Sequence, residues 1–279
     1  MQGKVVVVTG STSGIGKQIA IGLARRGARV VLAGHDRDEG ERALQELARL
    51  GDHASLELEI ADFSTFDAVR AFAAAVSARH PRIDVLVNNA GVLHERPRLT
   101  PEGLDATWSI NYLAPFLLSH LLLPRLAAAP QGRIVNTASV AHRWGRLDRG
   151  LRPPSRGPGP GVRTYFDTKL AVVVLTRRMA TRVPSSVTVN CFHPGVIGTN
   201  LATGPGVIGR LMRVGQPVMK TPEQGARTGI FLASAPELHT TSGEYFVDER
   251  PRRPSRKVHD HDAAEALWQA SVELTGVGH

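Results

Sequence analysis

The chain has a single cysteine, Cys191, and no cluster of His, Cys, Asp or Glu at metal-ligand spacing. One cysteine excludes any intrachain disulfide and fits a reducing compartment, and without a ligand cluster no metal is expected. Cys191 lies in an apolar stretch, where a buried structural thiol is the expectation and a nucleophile is not. No apolar run approaches the roughly 20 residues that span a bilayer. Met1 leads straight into an apolar strand, without the charged segment and cleavage site of a secretory signal. The expectation is a soluble, cytoplasmic protein with no membrane span. Internal repeats are absent too. A chain of 279 residues, 42% hydrophobic, is therefore read as a single α/β domain over residues 1–249, followed by a basic C-terminal tail and a terminal helix over 250–279.

Acidic residues are in deficit, 25 against 34 basic, for a net charge of +9. Such a balance raises the question of nucleic acid. Helix-turn-helix, zinc and aromatic-basic RNA signatures are all lacking, and the arginines are scattered through helical segments or gathered in the proline-bearing stretch 250–257. Nucleic acid is therefore not expected as the primary partner, and a phosphate-rich cofactor accounts for part of the charge.

Short runs rich in Val, Ile and Leu occur at residues 4–9, 28–33, 55–60, 83–87, 133–137 and 187–191. They read as strands buried on both faces. Between them lie helix-length segments with apolar residues three or four apart, such as Ile15, Ile19 and Leu23, or Phe66, Val69, Phe72 and Val76. Alternation of this kind predicts a parallel sheet covered by helices on both sides, the doubly wound Rossmann-type arrangement. Gly27 and Gly51 stand where helices would end in a left-handed cap. Residues 143–163, rich in Pro, Gly and Arg, read as a surface excursion, and residues 194–217 as a flap over a ligand. Helices are expected over 222–233 and 261–274.

The first predicted strand runs into Gly10-Ser11-Thr12-Ser13-Gly14-Ile15-Gly16 and then a helix. Glycines permit a tight turn and close backbone approach, and the helix N-terminus offers unpaired N–H groups to a pyrophosphate. The spacing G-x-x-x-G-x-G departs from the commoner G-x-G-x-x-G, and a merely tight turn is the alternative. Further on, Tyr165 and Lys169 are four residues apart, on one face if the segment is helical. A phenol of pKa about 10 is a poor acid or base near neutrality, and an adjacent cation favours its phenolate. Taken alone, a solvated tyrosine beside a surface lysine is the commoner meaning of such a pair. Joined to a dinucleotide site, it points to hydride transfer at a carbonyl or alcohol.

These motifs together resemble the short-chain dehydrogenase/reductase family: Thr-Gly-x-x-x-Gly-x-Gly at 9–16, Asn-Asn-Ala-Gly at 88–91, Ser139 after the fifth strand, then Tyr165 and Lys169 on the next helix. The detail is nearest the retinol-dehydrogenase-like branch, through the long serine-to-tyrosine interval and the His-Pro-Gly and Ser-Gly-x-Tyr-Phe phrases. That branch often carries an N-terminal membrane anchor, which is not expected here. The resemblance implies that Ser139 hydrogen-bonds the substrate oxygen and that Tyr165 is the general acid or base. It implies that Lys169 binds the nicotinamide ribose and lowers the tyrosine pKa, and that Asn111 holds a water in the proton relay. For the cofactor it implies contacts from Gly10, Ser11, Ser13, Gly14, Ile15 and Gly16, from Asp62 and Phe63 at the adenine, and from Asn89, Ala90 and Gly91 at the ribose. Pro194, Gly195, Val196 and Thr199 would meet the nicotinamide amide and phosphates. Helix capping explains Asp62 equally well, turn formation explains Asn88 and Asn89, and a plain proline-glycine turn explains 194–195. Thr168 stands where the family usually has serine and preserves the hydroxyl.

Cofactor choice rests on Gly34, His35, Asp36 and Arg37 at the end of the second strand. Gly34 falls at the position of the carboxylate that binds ribose hydroxyls in NAD sites, and His35 where NADP enzymes often carry arginine. NADP(H) is expected, with NAD the alternative should Asp36 take the acidic role. The substrate is expected to be a hydrophobic small molecule bounded by residues 93–99, 141–149 and 196–217. A homo-oligomer is the family's habit. NAD-dependent alcohol oxidation and a non-catalytic NADP-binding regulator are the rival readings, the second disfavoured by intact catalytic positions.

Overall fold

The computed structural model describes residues 1–49, 55–147, 160–195 and 220–277. Eight strands form one sheet in the order β3-β2-β1-β4-β5-β6-β7-β8. They are β1 (Val5–Thr9), β2 (Arg29–Gly34), β3 (Leu56–Ile60), β4 (Val85–Asn88), β5 (Gly132–Thr137), β6 (Val187–His193), β7 (Tyr245–Val247) and β8 (Arg250–Pro251). All neighbouring pairs are parallel except β7 with β8. Strand order reverses between β1 and β4, so a crevice opens at their carboxyl ends, where ligands bind in open α/β sheets.

The helices are α1 (Gly14–Ala24), α2 (Arg37–Ala48), α3 (Phe66–Arg79), α4 (Ala106–Trp108), α5 (Ala114–Ala127), α6 (Pro160–Ala180), α7 (Pro222–Ser234) and α8 (His261–Thr275), with a π-helical turn, Ser109–Leu113, joining α4 to α5. Successive residues of a strand face opposite sides. Hence Val6, Val8, Val30 and Leu32 pack with Ile19 and Leu23 of α1 and Ala226 and Leu232 of α7, while Val7, Val31 and Leu86 pack with α3, α5 and α6 on the other side. Both sets are apolar because helices cover both faces, which is why β1 reads as unbroken valine.

Two sequence expectations change. β3 is a half-buried edge strand along its whole length, not a core strand. Its Glu57 and Glu59 pair with Arg79 and His80 at the end of α3, as befits a strand with one neighbour. β7 was not expected, since three residues are too few for a periodicity to register; it joins the sheet through Cys191↔Tyr245 and Phe192↔Phe246. α8 packs on the domain: Trp268 lies edge-on to Phe116 with centroids 5.1 Å apart, and the Ser271 hydroxyl meets the Tyr112 phenol at 3.0 Å. Gly27 does adopt the left-handed conformation after α1, at φ 82°. Gly51 and most of the expected excursion and flap lie outside the described residues.

Candidate active site

The glycine loop is built on close contact. A Cβ at Gly16 would fall 2.1 Å from the Gly10 carbonyl oxygen and 2.4 Å from Asn89 Nδ2, and one at Gly10 would fall 2.8 Å from Ala90 Cα. Gly10 and Gly14 sit at φ 61° and 55°, which side-chain-bearing residues rarely adopt. Thr9 ties this loop to the Asn89-Ala90-Gly91 segment, its Oγ1 accepting both the Asn89 and Ala90 amides at 3.0 Å. Asn89 Nδ2 donates back to the carbonyls of Thr9 and Gly10. Ser13 precedes α1 without capping it, and the first turn of α1 holds no acidic side chain. By contrast α2, α3, α7 and α8 are capped by their own Asp36, Thr65, Thr221 and Asp260. An uncapped N-terminus beside left-handed glycines fits a pyrophosphate. Ile15 is half-buried at the edge of the core. Ser11 faces inward: its hydroxyl donates to Val8 O at 2.7 Å and accepts the Ala33 amide at 2.9 Å, while its own amide donates to Ala33 O. Its polar groups thus brace the loop against β1 and β2 instead of facing a ligand.

At the end of β2, a Cβ on Gly34 would lie 2.4 Å from Thr12 Cγ2, so no carboxylate-bearing side chain fits there without displacing Thr12. Asp36 accepts the Glu39 amide at 2.8 Å as the cap of α2, leaving His35 and Arg37 exposed beside it. Glu39, which the sequence did not single out, reaches back to the glycine loop and accepts the Thr12 hydroxyl at 3.0 Å. Asp62 does not cap α3; it accepts the Ser64 amide at 2.9 Å in a tight turn, and Thr65 is the cap. Phe63 is core, edge-on to Phe72, so a contact at the adenine would come from its main chain.

The structure brings Ser139, Tyr165, Lys169 and Asn111 together above β4 and β5. Ser139 ends β5's loop and opens a 3-10 turn, Val140–Arg143, its Oγ accepting the Ala141 amide. Ser139 also hydrogen-bonds Tyr165. Burial pushes the Tyr165 phenol up to about 12, that hydrogen bond pulling the other way. Lys169 is brought down to about 8 by burial, and its Nζ donates to Thr137 O at 2.9 Å, 5.6 Å from the Tyr165 ring centroid. The sequence expectation was a phenol lowered by the lysine. Burial sets the direction for both groups here, raising the phenol and lowering the ammonium. Asn111 sits in the π turn with its side chain spent on neighbours: Oδ1 accepts the Val92 amide at 2.7 Å, and Nδ2 donates to Val92 O and to the Thr168 hydroxyl. Thr168 in turn donates to Tyr165 O at 2.8 Å. π turns widen a helix locally and recur at functional sites.

Two histidines complete the frame. His193 Nδ1 accepts the amides of Val140 at 3.2 Å and Gly195 at 3.3 Å, pinning the Ser139 loop to the Pro194-Gly195 turn, where Gly195 adopts φ 99°. His142 is fully buried behind Ser139. The first belongs to the His-Pro-Gly phrase; the second left no signal in the sequence, because its partners are main-chain groups. Val196 and Thr199 lie outside the described residues.

A doubly wound sheet whose switch-point crevice carries an uncapped glycine-loop helix, with a half-buried Ser and a buried Tyr and Lys beside it, defines an NAD(P)-dependent oxidoreductase. The pattern of the short chain dehydrogenase family matches residues 4–205, and the chain belongs to that family. It is 38% identical to human dehydrogenase/reductase SDR family member 13, covering 100% of this chain and 74% of that protein. It is 35% identical to human retinol dehydrogenase 13, covering 99% and 85%. Among solved structures it is similar to a Beutenbergia cavernae protein described as an NAD(P)-dependent gluconate 5-dehydrogenase, with NADP bound at low occupancy, at TM-score 0.71 and 29% identity over 88% of this chain and 95% of that one. The relatives mark it as retinol-dehydrogenase-like.

Proposed function

We propose that this protein reduces the carbonyl of an apolar small molecule with NADPH, Tyr165 giving the proton to the developing alkoxide. The observation that carries this reading is the grouping of a buried Tyr165 with Ser139, to which it is hydrogen-bonded, and with Lys169, whose Nζ lies 5.6 Å from its ring centroid; a phenol holds its proton throughout the neutral range. A proton donor is what carbonyl reduction requires. NADPH, when bound, supplies the hydride. Ser139 then donates a hydrogen bond to the substrate oxygen as charge develops there. Lys169, fixed to Thr137 O, stands one helical turn from Tyr165 and beside Gly91, where a Cβ would be 3.7 Å from its Nζ. In that place it holds the nicotinamide ribose. Asn111, locked to Val92 and Thr168, positions the strand-end segment against α6 and bears the relay water. Gly10, Ser13, Gly14, Ile15 and Gly16 hold the pyrophosphate, and Asn89, Ala90 and Gly91 line the ribose.

NADPH is favoured by Gly34, which excludes a carboxylate, and by His35 and Arg37 exposed beside it. A second reading, NAD, is favoured by Glu39, whose carboxylate on Thr12 lies close to the same edge of the site. For the substrate, Leu93, Ala141 and Tyr165 form an apolar cluster. Next to it, Trp144, 61% exposed, Val162 and Phe166, together with Arg146 and Arg163, border a cavity of about 320 Å³. An apolar aldehyde or ketone of retinal's character fits such walls. A homo-oligomer and a cytoplasmic location belong to the same reading; among the described residues no helix is long and apolar enough to cross a membrane.

Titration with NADPH and NADH, followed by reduction of all-trans-retinal and of 4-nitrobenzaldehyde, tests the proposal. Tyr165→Phe is expected to lose at least 100-fold in turnover, in line with the loss of a general acid (about 10²–10⁴), while cofactor affinity stays within about twofold. Turnover near wild type in that variant would take Tyr165 out of the acid role.

A further inference from the structure

The sequence reading set the segment after β8 apart as a basic tail. In the structure residues 253–257 of that segment are bonded to the loop that carries Ser139. Arg143 donates from its guanidinium to Arg253 O at 3.2 Å, and Lys257 Nζ donates to the carbonyls of Arg143 at 3.2 Å and Gly145 at 2.8 Å. At the centre lies His142, 0% exposed, its ring 4.8 Å from that of Tyr245. The Ser255 amide donates to His142 Nε2 at 3.0 Å. A main-chain N–H can only donate, so Nε2 is the unprotonated nitrogen and Nδ1 carries the hydrogen. That hydrogen goes to the Ser139 carbonyl, at 2.6 Å. Both nitrogens of one buried ring are thereby committed to main-chain groups 116 residues apart.

Resting on the proposed role of Ser139, we propose that His142 is a positioning residue: it ties the Ser139 carbonyl to the Ser255 amide and so makes residues 252–257 part of the active-site frame. Ser139 must present its hydroxyl to the substrate oxygen while bonding to Tyr165. Its loop is also held by the Ala138 amide on Phe192 O at 2.8 Å, by the Val140 amide on His193 and by the His142 amide on Ser139 O at 3.2 Å; the imidazole adds to these the tie that reaches residues 252–257. A carbonyl held from behind by a buried ring fixes the Ser139 peptide plane, and with it the direction of Cβ. Misplacement of a catalytic group by about 1 Å costs on the order of 10²-fold.

The neatest perturbation uses the backbone. Ser255 sits at φ −58°, the value a proline ring imposes, so Ser255→Pro removes the amide donor and leaves the local dihedral unchanged. The Ser255 hydroxyl also accepts the Lys257 amide, and Ser255→Ala removes that contact alone. With saturating NADPH and either all-trans-retinal or 4-nitrobenzaldehyde, Ser255→Pro is expected to lower kcat about tenfold relative to Ser255→Ala, with the Kd for NADPH within twofold and KM little changed. His142→Gln keeps an acceptor for the Ser255 amide but loses the donor to Ser139 O; the same loss confined to kcat is expected, and this variant serves if Ser255→Pro does not fold. Equal kcat in the proline and alanine variants, or a His142→Gln enzyme with wild-type kcat, would overturn the proposal. The Tyr165→Phe variant separates the two claims: if it is inactive while these variants are unimpaired, His142 positioning fails and the reductase reading stands. Wild-type protein that binds NADPH yet reduces neither aldehyde removes both.

Discussion

Lowering the pH should unlock the junction that His193 makes. Its Nδ1 accepts two amides, from Val140 and Gly195, and only a neutral ring can do so. Burial, then the Lys220 ammonium and His142, bring the ring from 6.5 down to about 4, against a smaller opposing pull from Asp248. The unfolded chain therefore binds a proton at His193 near pH 6.5 that the folded chain refuses until about pH 4. The stability this represents is fully present above pH 6.5 and is lost as the pH falls toward 4. At about 1.4 kcal/mol per pH unit the ceiling is about 3.5 kcal/mol, and the partial exposure of the ring brings the expectation to about 1–2 kcal/mol. His94, His120 and His142 are shifted in the same direction and steepen the curve for the whole protein, so the comparison must isolate one ring. His193→Asn retains an acceptor near the Nδ1 position and does not titrate. Urea unfolding of wild type and variant at pH 7.5, 6.0 and 5.0 should show the wild type losing about 1–2 kcal/mol more than the variant across that range. Parallel curves would refute the assignment of His193 as an acceptor held neutral by the fold.

Gly16→Ala forces a Cβ against the Gly10 carbonyl and Asn89 Nδ2. Backbone cannot yield there, so a cost of about 1–3 kcal/mol and a loss of at least tenfold in NADPH affinity are expected from thermal melts and cofactor titration. His35→Asp adds a carboxylate at the 2′-phosphate edge and should move the ratio of NADPH to NADH affinity at least tenfold toward NADH; an unchanged ratio would mean the strand-end assignment is wrong. Trp268→Ala removes the ring that packs on Phe116 and under Arg182, and should destabilise the whole domain by about 3–5 kcal/mol in a single transition. A separate early transition would instead make α8 an independent unit.

Much of this protein was legible from local pattern. The parallel core strands and most helices follow from apolar periodicity, because helices on both faces require apolar residues on both. The glycine loop, the Asn-Asn-Ala-Gly segment and the Tyr-x-x-x-Lys pair announce themselves because their chemistry depends on residue type at fixed short spacing. β3 was misjudged as a core strand because burial of an edge depends on the neighbour it lacks. Ser11 looked like a phosphate ligand from its place in the loop, and only the packing of β1 against β2 shows its hydroxyl turned inward.

Two further matters belong to tertiary structure alone. The directions in which the Tyr165 and Lys169 pKa values move, the phenol up and the ammonium down, are set by burial, a property of the surrounding fold that their spacing does not reveal. The tie from Ser139 through His142 to Ser255 joins main-chain groups 116 residues apart. Main-chain carbonyls and amides are the same at every position, so no residue pattern could have marked it.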